Sequence, residues 1–322
     1  MNKENIRNIA IIAHVDHGKT TLVNQLLEYS DTLEAHNVLL ERAMDSNPLE
    51  RERGITILAK TTAIQYQNYR INILDTPGHA DFGGEVERIM NMVDGCLLLV
   101  DAFEGTMPQT RFVLKKALEA HVKPVVVINK IDRSNVEIEQ TIESVLELFI
   151  ELGATDDLLD FKIIYTSGLK GTSSYEADPD SQTEGMDAVF ETIVREIPAP
   201  QVNDQAPLQF QATLLDYNDF VGRIGIGRLQ QGTIHVNDMV TCVRLDGSTI
   251  NFRIQKLYGY LGLNRLEINE AHAGEIIAIA GLDDLNVGET INALNEVNPL
   301  PRLHIDEPTL KMTFATNSSP FV

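Results

Sequence analysis

The sequence predicts a mostly parallel α/β sheet with helices on both faces, followed by an all-β barrel. Three observations carry this. Over residues 1–200, apolar runs without two-residue alternation take turns with stretches of helical periodicity. After Pro198-Ala-Pro200 the helical signal ends, and short strand-like pieces follow, separated by Gly, Asn and Asp turns. The chain has 322 residues and is 43% hydrophobic, enough for two buried cores.

Five runs read as strands buried on both faces: Ile9–Ala13, Ile71–Leu74, Cys96–Val100, Val125–Ile128 and Lys162–Tyr165. Helices are expected at Thr20–Tyr29, Glu85–Val93, Gln109–Ala120 and Val136–Leu152. In the last, Ile138, Ile142, Val145, Leu146, Phe149 and Ile150 fall at helical spacing, and Gly153 supplies the stop. Strands alternating with helices imply parallel pairing. Thr61–Gln67 and Arg70–Leu74 flank Asn68 and suit an antiparallel hairpin at one edge. A polar loop, Gly171–Gly185, and a short helix, Met186–Glu196, lead to the proline linker. Barrel strands are expected at Leu208–Leu215, Arg223–Leu229, Met239–Leu245, Thr249–Leu257 and Glu275–Ala280, with Asp246-Gly247 as a hairpin turn. Pro299-Leu-Pro301 reads as a second linker, and Pro308–Phe314 as the first strand of a further unit. The expected division is residues 1–200, residues 201–298, and a linker with the start of a truncated third domain at 299–322.

Charge narrows the partners. With 26 basic and 47 acidic residues the net charge is −21, of which −15 falls on residues 1–200 and −6 on the remainder. Neither half is a basic nucleic-acid surface, so any RNA contact is local, and attraction to anionic membrane is disfavoured. The start of the chain has no signal-peptide core and no apolar run reaches membrane-spanning length. Cys96 heads an apolar run, and neither it nor Cys242 has a CxxC partner. A reducing cytoplasm is the expected compartment.

The chemistry lies at strand ends. Ala13-His-Val-Asp-His-Gly-Lys-Thr20 follows a strand and opens a helix, the context a phosphate-binding loop requires, although Ala13 stands where the consensus has Gly. Gly18 lets the backbone approach phosphates, and the amides of Asp16, His17, Gly18 and the helix start, Thr21 included, form an anion cradle. Lys19 is expected to reach the β- and γ-phosphates, and Thr20 to offer its hydroxyl to Mg²⁺. Asp75-Thr-Pro-Gly-His79 ends another strand: Asp75 is a candidate Mg²⁺ carboxylate, Gly78 can turn its N–H to a γ-phosphate, and His79 can orient an attacking water. Thr56, in Arg51-Glu-Arg-Gly-Ile-Thr-Ile57, is a candidate Mg²⁺ ligand available only with a γ-phosphate bound.

Asn129-Lys-Ile-Asp132 ends a third strand. A carboxylate there accepts hydrogen bonds from guanine N1–H and its 2-amino group, whereas adenine would leave Asp132 unpaired. Lys130 would lay its stem along the base, Ile131 lies between the two, and Thr166-Ser-Gly168, with Leu169 following, offers amides to guanine O6. Guanine nucleotides are therefore the expected ligands.

Taken in order, these segments resemble those of translational GTPases, and most closely the TypA family, also called BipA, within the elongation factor G-like branch. Glu41-Arg-Ala-Met-Asp-Ser46, Gly83-Gly-Glu-Val-Glu-Arg88, Met107-Pro-Gln-Thr-Arg-Phe112, Leu215-Asp-Tyr-Asn218 and Arg223-Ile-Gly-Ile-Gly-Arg228 carry the resemblance along nearly the whole chain. It implies a G domain and a β-barrel, with His79 placing the hydrolytic water and Val15 and Ile55 forming an apolar gate around it. It also implies that Asp16 lies near the β–γ bridging oxygen with a monovalent cation, and that the ribosomal sarcin–ricin loop acts on His79. Relatives of this kind are tied to ribosome assembly and growth in cold or stress. A guanine-nucleotide sensor, including for guanosine tetraphosphate, and an elongation or initiation factor are the alternative readings. A monomer is the default.

Overall fold

The computed structural model describes residues 3–30, 58–77, 83–303, 312–313 and 315–316. Ile55, Thr56, Gly78, His79 and the run Glu41–Ser46 lie outside them, as does the strand expected at Pro308–Phe314 apart from Met312 and Thr313.

The first unit is an eight-stranded sheet. Its strands are β1 (Ile6–Ala13), β2 (Lys60–Tyr66), β3 (Tyr69–Asp75), β4 (Gly95–Asp101), β5 (Lys123–Asn129), β6 (Ile163–Ser167), β7 (Thr172–Ser174) and β8 (Thr183–Glu184), in the order β2-β3-β1-β4-β5-β6-β7-β8. β3, β1, β4, β5 and β6 are mutually parallel, and β2 is the expected antiparallel edge, turning at Gln67 with φ 51°. Among the described residues six α-helices accompany these strands: α1 (Lys19–Tyr29), α2 (Gly83–Met90), α3 (Pro108–Glu119), α4 (Ile138–Glu151), α5 (Asp156–Leu159) and α6 (Asp187–Glu196).

Residue parity explains the layers. In β1, Ile9, Ile11 and Ala13 face one core, with Leu22, Leu26 and Leu27 of α1 and Phe190 and Ile193 of α6. Ala10 and Ile12 face the other, with Val86 of α2, Leu114 of α3 and Phe149 of α4. Strands sandwiched in this way are apolar on both faces along most of their length, which is why they read as unbroken runs. The buried Asn8 of β1 and Asn72 of β3 are polar exceptions and hydrogen-bond each other at 2.7 Å.

Two expectations are corrected here. The segment Gly171–Gly185 is not only loop: β7 and β8 extend the sheet antiparallel, held by Ser173 Oγ donating to Gly185 O at 2.8 Å and by Gly185 N–H to Gly171 O at 2.8 Å. Short polar strands carry no hydrophobic signal. In the second unit, two predicted strands are each broken in the middle. Its elements are β9 (Gln209–Gln211), β10 (Leu214–Asn218), β11 (Gly222–Gln231), β12 (Thr233–His235), β13 (Met239–Val243), β14 (Thr249–Arg253), β15 (Lys256–Leu261), β16 (Asn264–Glu267), β17 (Glu270–His272), β18 (Ile276–Ala280) and β19 (Thr290–Ala293). Nine of them form one sheet and β12–β17 a separate pair. Leu208–Leu215 breaks between β9 and β10, where Ala212 N–H bonds Glu289 O and Thr213 N–H bonds Ile226 O. Thr249–Leu257 breaks between β14 and β15, where Ile254 N–H bonds Asp238 O and Gln255 N–H bonds Ala280 O. At both places the chain exchanges one partner strand for another, as corners of β-barrels require.

The barrel packs on the first unit through strands buried on both faces. Ile277 and Ile279 of β18 face the barrel core, whereas Ile276, Ala278 and Ala280 join Ile224 and Ile226 of β11 against Ala63, Met90 and Val93. Polar contacts rim this seam. Arg228 pairs with Asp94 at 2.8 Å, and Asn8 Nδ2 donates to Gly274 O at 3.0 Å and to Asp94 at 3.2 Å. Arg70 donates to Tyr260 O at 3.0 Å, and Ala63 and Gly262 exchange backbone bonds of 3.3 and 2.7 Å. Both members of the Arg228–Asp94 pair are largely buried. Truncating Arg228→Ala would leave the enclosed Asp94 carboxylate with Asn8 as its side-chain hydrogen-bond donor and only the more distant charge of Arg7 to offset it. A loss of about 3 kcal/mol is expected by urea denaturation; a change under about 1 kcal/mol would show that the pair adds nothing to the seam.

Candidate nucleotide-binding site

Three parallel strands, β1, β3 and β5, end at one edge of the sheet beside the point where strand order reverses, the usual place for a ligand in an open α/β sheet. From β1 the chain passes through His14–Gly18 into α1. Asp16 (φ 66°) and Gly18 (φ 92°) are left-handed, a pattern that gathers successive N–H groups into a concavity. Gly18 is required twice over: by its φ, and because a Cβ there would lie 2.6 Å from Asn129 Nδ2. The His17 side chain is fully buried. Its Nδ1 sits 3.3 Å from both Leu99 O and the Asp101 N–H, and Nε2 is 3.4 Å from Glu104. Burial holds this imidazole below its usual pKa. The loop therefore presents main-chain atoms, not the imidazole, to its concave side. Val15 N–H reaches Gln109 Oε1 at 3.4 Å.

At the loop's far end Lys19 forms an ion pair with Asp75, and both groups are buried. Thr20 follows in the first turn of α1. Thr76 Oγ1 donates to Ile11 O at 2.7 Å, fastening the end of β3 to β1. Lysine, threonine and carboxylate thus share one corner.

Asn129, the last residue of β5, is buried. Its Nδ2 donates to His17 O at 2.9 Å, and its Oδ1 accepts from Gly168 N–H at 2.9 Å and Thr166 Oγ1 at 3.0 Å. Lys130 is left-handed (φ 64°), and its ammonium bridges the Asp16 carbonyl and the Asp101 carboxylate, the latter at 2.7 Å. Ile131 is fully buried and hydrogen-bonds back to Thr166 O at 3.4 Å. Asp132 is part-exposed, and its carboxylate takes no hydrogen bond from a described residue. Ser167 is buried with its Oγ accepting Lys170 N–H at 3.2 Å, Gly168 is buried beside Asn129, and Leu169 is 81% exposed.

The described motif residues therefore meet at one edge of the sheet. Asp101, Gln109 and the Thr166 hydroxyl belong to the same network and were not singled out from the sequence. Asp101 carried a usable signal, since it ends a buried strand at the same edge as the motifs.

Residues 4–199 match the family model for the elongation factor Tu GTP binding domain, and residues 222–292 match that for elongation factor Tu domain 2. The chain is 60% identical over 319 residues to the large ribosomal subunit assembly factor BipA of Bacillus subtilis, covering 99% of this chain and 52% of that protein. The proteins of the same name from Salmonella typhimurium and Synechocystis are each 54% identical, over 99% and 98% of this chain and 52% and 53% of theirs. The chain thus spans about half the length of the curated relatives it matches. With the parallel sheet, the glycine loop and the barrel behind them, these matches place it: the chain belongs to the family of the elongation factor Tu GTP-binding domain, in its TypA/BipA branch.

Proposed function

We propose that this chain binds GTP and hydrolyses it to GDP and phosphate, as the nucleotide switch of a protein that acts with the large ribosomal subunit. The observation that carries the reading is the Asn129 bridge, which ties the phosphate-loop carbonyl of His17 to the strand ends bearing Asp132 and Gly168. A purine held by Asp132 would have its phosphates directed at the loop amides and Lys19.

In this reading Asp132 accepts guanine N1–H and the 2-amino group, Gly168 and its neighbours supply amides for O6, and Lys130 covers one face of the base. Thr20, Asp75 and Thr56 would hold Mg²⁺, which when bound neutralises charge on the β- and γ-phosphates. The donors suit that ion: one carboxylate and a hydroxyl lie beside Lys19. Among the described residues no trio of His, Cys, Asp or Glu converges as an all-protein metal cage would. His79 orients a water whose oxygen attacks the γ-phosphorus in line as the bond to the bridging oxygen breaks, and Gly78 donates its N–H to the γ-phosphate. Val15 and Ile55 would shield that water, and Asp16 would help to hold a monovalent cation, which when bound would add positive charge beside the phosphates. The motifs offer no evident arginine finger, so intrinsic turnover is slow, and contact with ribosomal RNA at the sarcin–ricin loop accelerates it.

The assembly role extends the name carried by the similar proteins to this chain; a part in growth under cold or stress is what the resemblance of its motifs implies. The net charge of −21 means that ribosome contact is made by local surfaces. Among the described residues no helix is long and apolar enough to cross a membrane. The protein acts as a cytoplasmic monomer.

Two outcomes are expected. Asp132→Asn should weaken GTP about a hundredfold, the loss of two hydrogen bonds to a charged group, and should strengthen xanthosine triphosphate. Titration with both nucleotides checks this, and unchanged GTP affinity would place the base pocket elsewhere. His79→Ala in the full-length protein should cut ribosome-stimulated phosphate release about a hundredfold or more while GTP affinity moves little. Rapid release by the isolated wild-type protein, with nothing added by ribosomes, would contradict the switch reading.

A further inference from the structure

Asp101 ends β4 between the phosphate loop and Lys130. Its side chain is fully enclosed. Burial by itself would raise its pKa, but the Lys130 ammonium, the Phe103 N–H and the Arg133 guanidinium outweigh it and hold the carboxyl below its ordinary value. Oδ1 accepts the Phe103 N–H at 2.8 Å, and Oδ2 accepts Lys130 Nζ at 2.7 Å and Arg133 at 3.2 Å. The same Lys130 ammonium donates to Asp16 O, and Asp101's own N–H reaches His17 Nδ1 at 3.3 Å. This one residue therefore touches the phosphate loop twice, through its backbone and through Lys130. The lysine stem passes close over the loop: its Cε lies 3.6 Å from where a Cβ on Gly18 would stand.

We infer that Asp101 is a positioning residue for nucleotide binding, holding the Lys130 stem over the phosphate loop as a ready-made wall for the purine. The inference rests on the nucleotide-site reading above and adds to it a group that touches no part of the nucleotide. An ammonium left with only a neutral carbonyl would sample more rotamers, and each nucleotide would have to order it on binding. Such losses appear mainly as faster dissociation. Asp101→Asn is close to isosteric and keeps an oxygen for the Phe103 N–H, but it turns an amide NH₂ toward two cations.

The test is the rate at which fluorescent N-methylanthraniloyl-GDP leaves the full chain when chased with unlabelled GDP. It is measured for wild type, Asp101→Asn, Lys130→Met and the double variant. Only loaded, folded molecules give signal, so partial unfolding does not imitate the effect. Asp101→Asn should release the nucleotide about tenfold faster than wild type. In the Lys130→Met background it should add less than about twofold, because its route of action is already gone. A wild-type rate in Asp101→Asn, or the same acceleration in both backgrounds, would overturn the inference while leaving the nucleotide site intact. Failure of the wild-type chain to bind the probe would instead overturn the nucleotide reading and this inference with it.

Discussion

One buried amide sets the geometry of the nucleotide site. Asn129 donates to the carbonyl of His17 at 2.9 Å and accepts from Gly168 N–H and the Thr166 hydroxyl at 2.9 and 3.0 Å. It therefore fixes the separation between the loop after β1 and the loop after β6, the two places a nucleotide would have to span. A buried amide is an unforgiving spacer, because any misfit leaves polar atoms unsatisfied in a low-dielectric interior. The same closeness leaves no room for a side chain at residue 18, so the glycine of the phosphate loop is dictated by the base side of the cleft as much as by phosphate.

That spacer works only on a stiff foundation. β1, β4 and β5 send alternate residues into two separate cores, so neither β1 nor its loop can shift without disturbing packing on both faces. The barrel reinforces the foundation from outside. β11 and β18 give one parity to the barrel core and the other to the first unit. Asn8 and Asp94, at the seam, belong to the segments that lead into the phosphate loop and into Asp101. The second unit is thus mechanically continuous with the strands that carry the site.

Much of this was legible in the residues. Buried parallel strands announce themselves as apolar runs, and the motifs stand where those runs end, so the sheet, its hairpin edge at Asn68 and the grouping of Lys19, Asp75 and Asn129 follow from spacing alone. Other features leave no local trace. β7 and β8 are Thr, Ser and Glu residues paired by backbone bonds. The breaks at Ala212–Thr213 and Ile254–Gln255 are exchanges of partner strand, set by distant residues. Asp101 is marked in the sequence only as the end of a buried strand at this edge; its link to the phosphate loop depends on Lys130 turning back toward it in a left-handed conformation, which no local pattern shows. The burial of His17 was equally hidden, since a histidine beside a glycine loop looks exposed in the sequence.

The central claim is that an open carboxylate at Asp132 and a main-chain cradle at His14–Thr20 select one purine together with its phosphates. Parallel calorimetric titrations with GDP, inosine diphosphate and ADP test it most directly. Inosine lacks the 2-amino group and forfeits one hydrogen bond to Asp132, so it should bind about tenfold or more below GDP, and ADP should give no measurable heat. Equal affinity for GDP and ADP, or no heat with any of the three, would contradict the account.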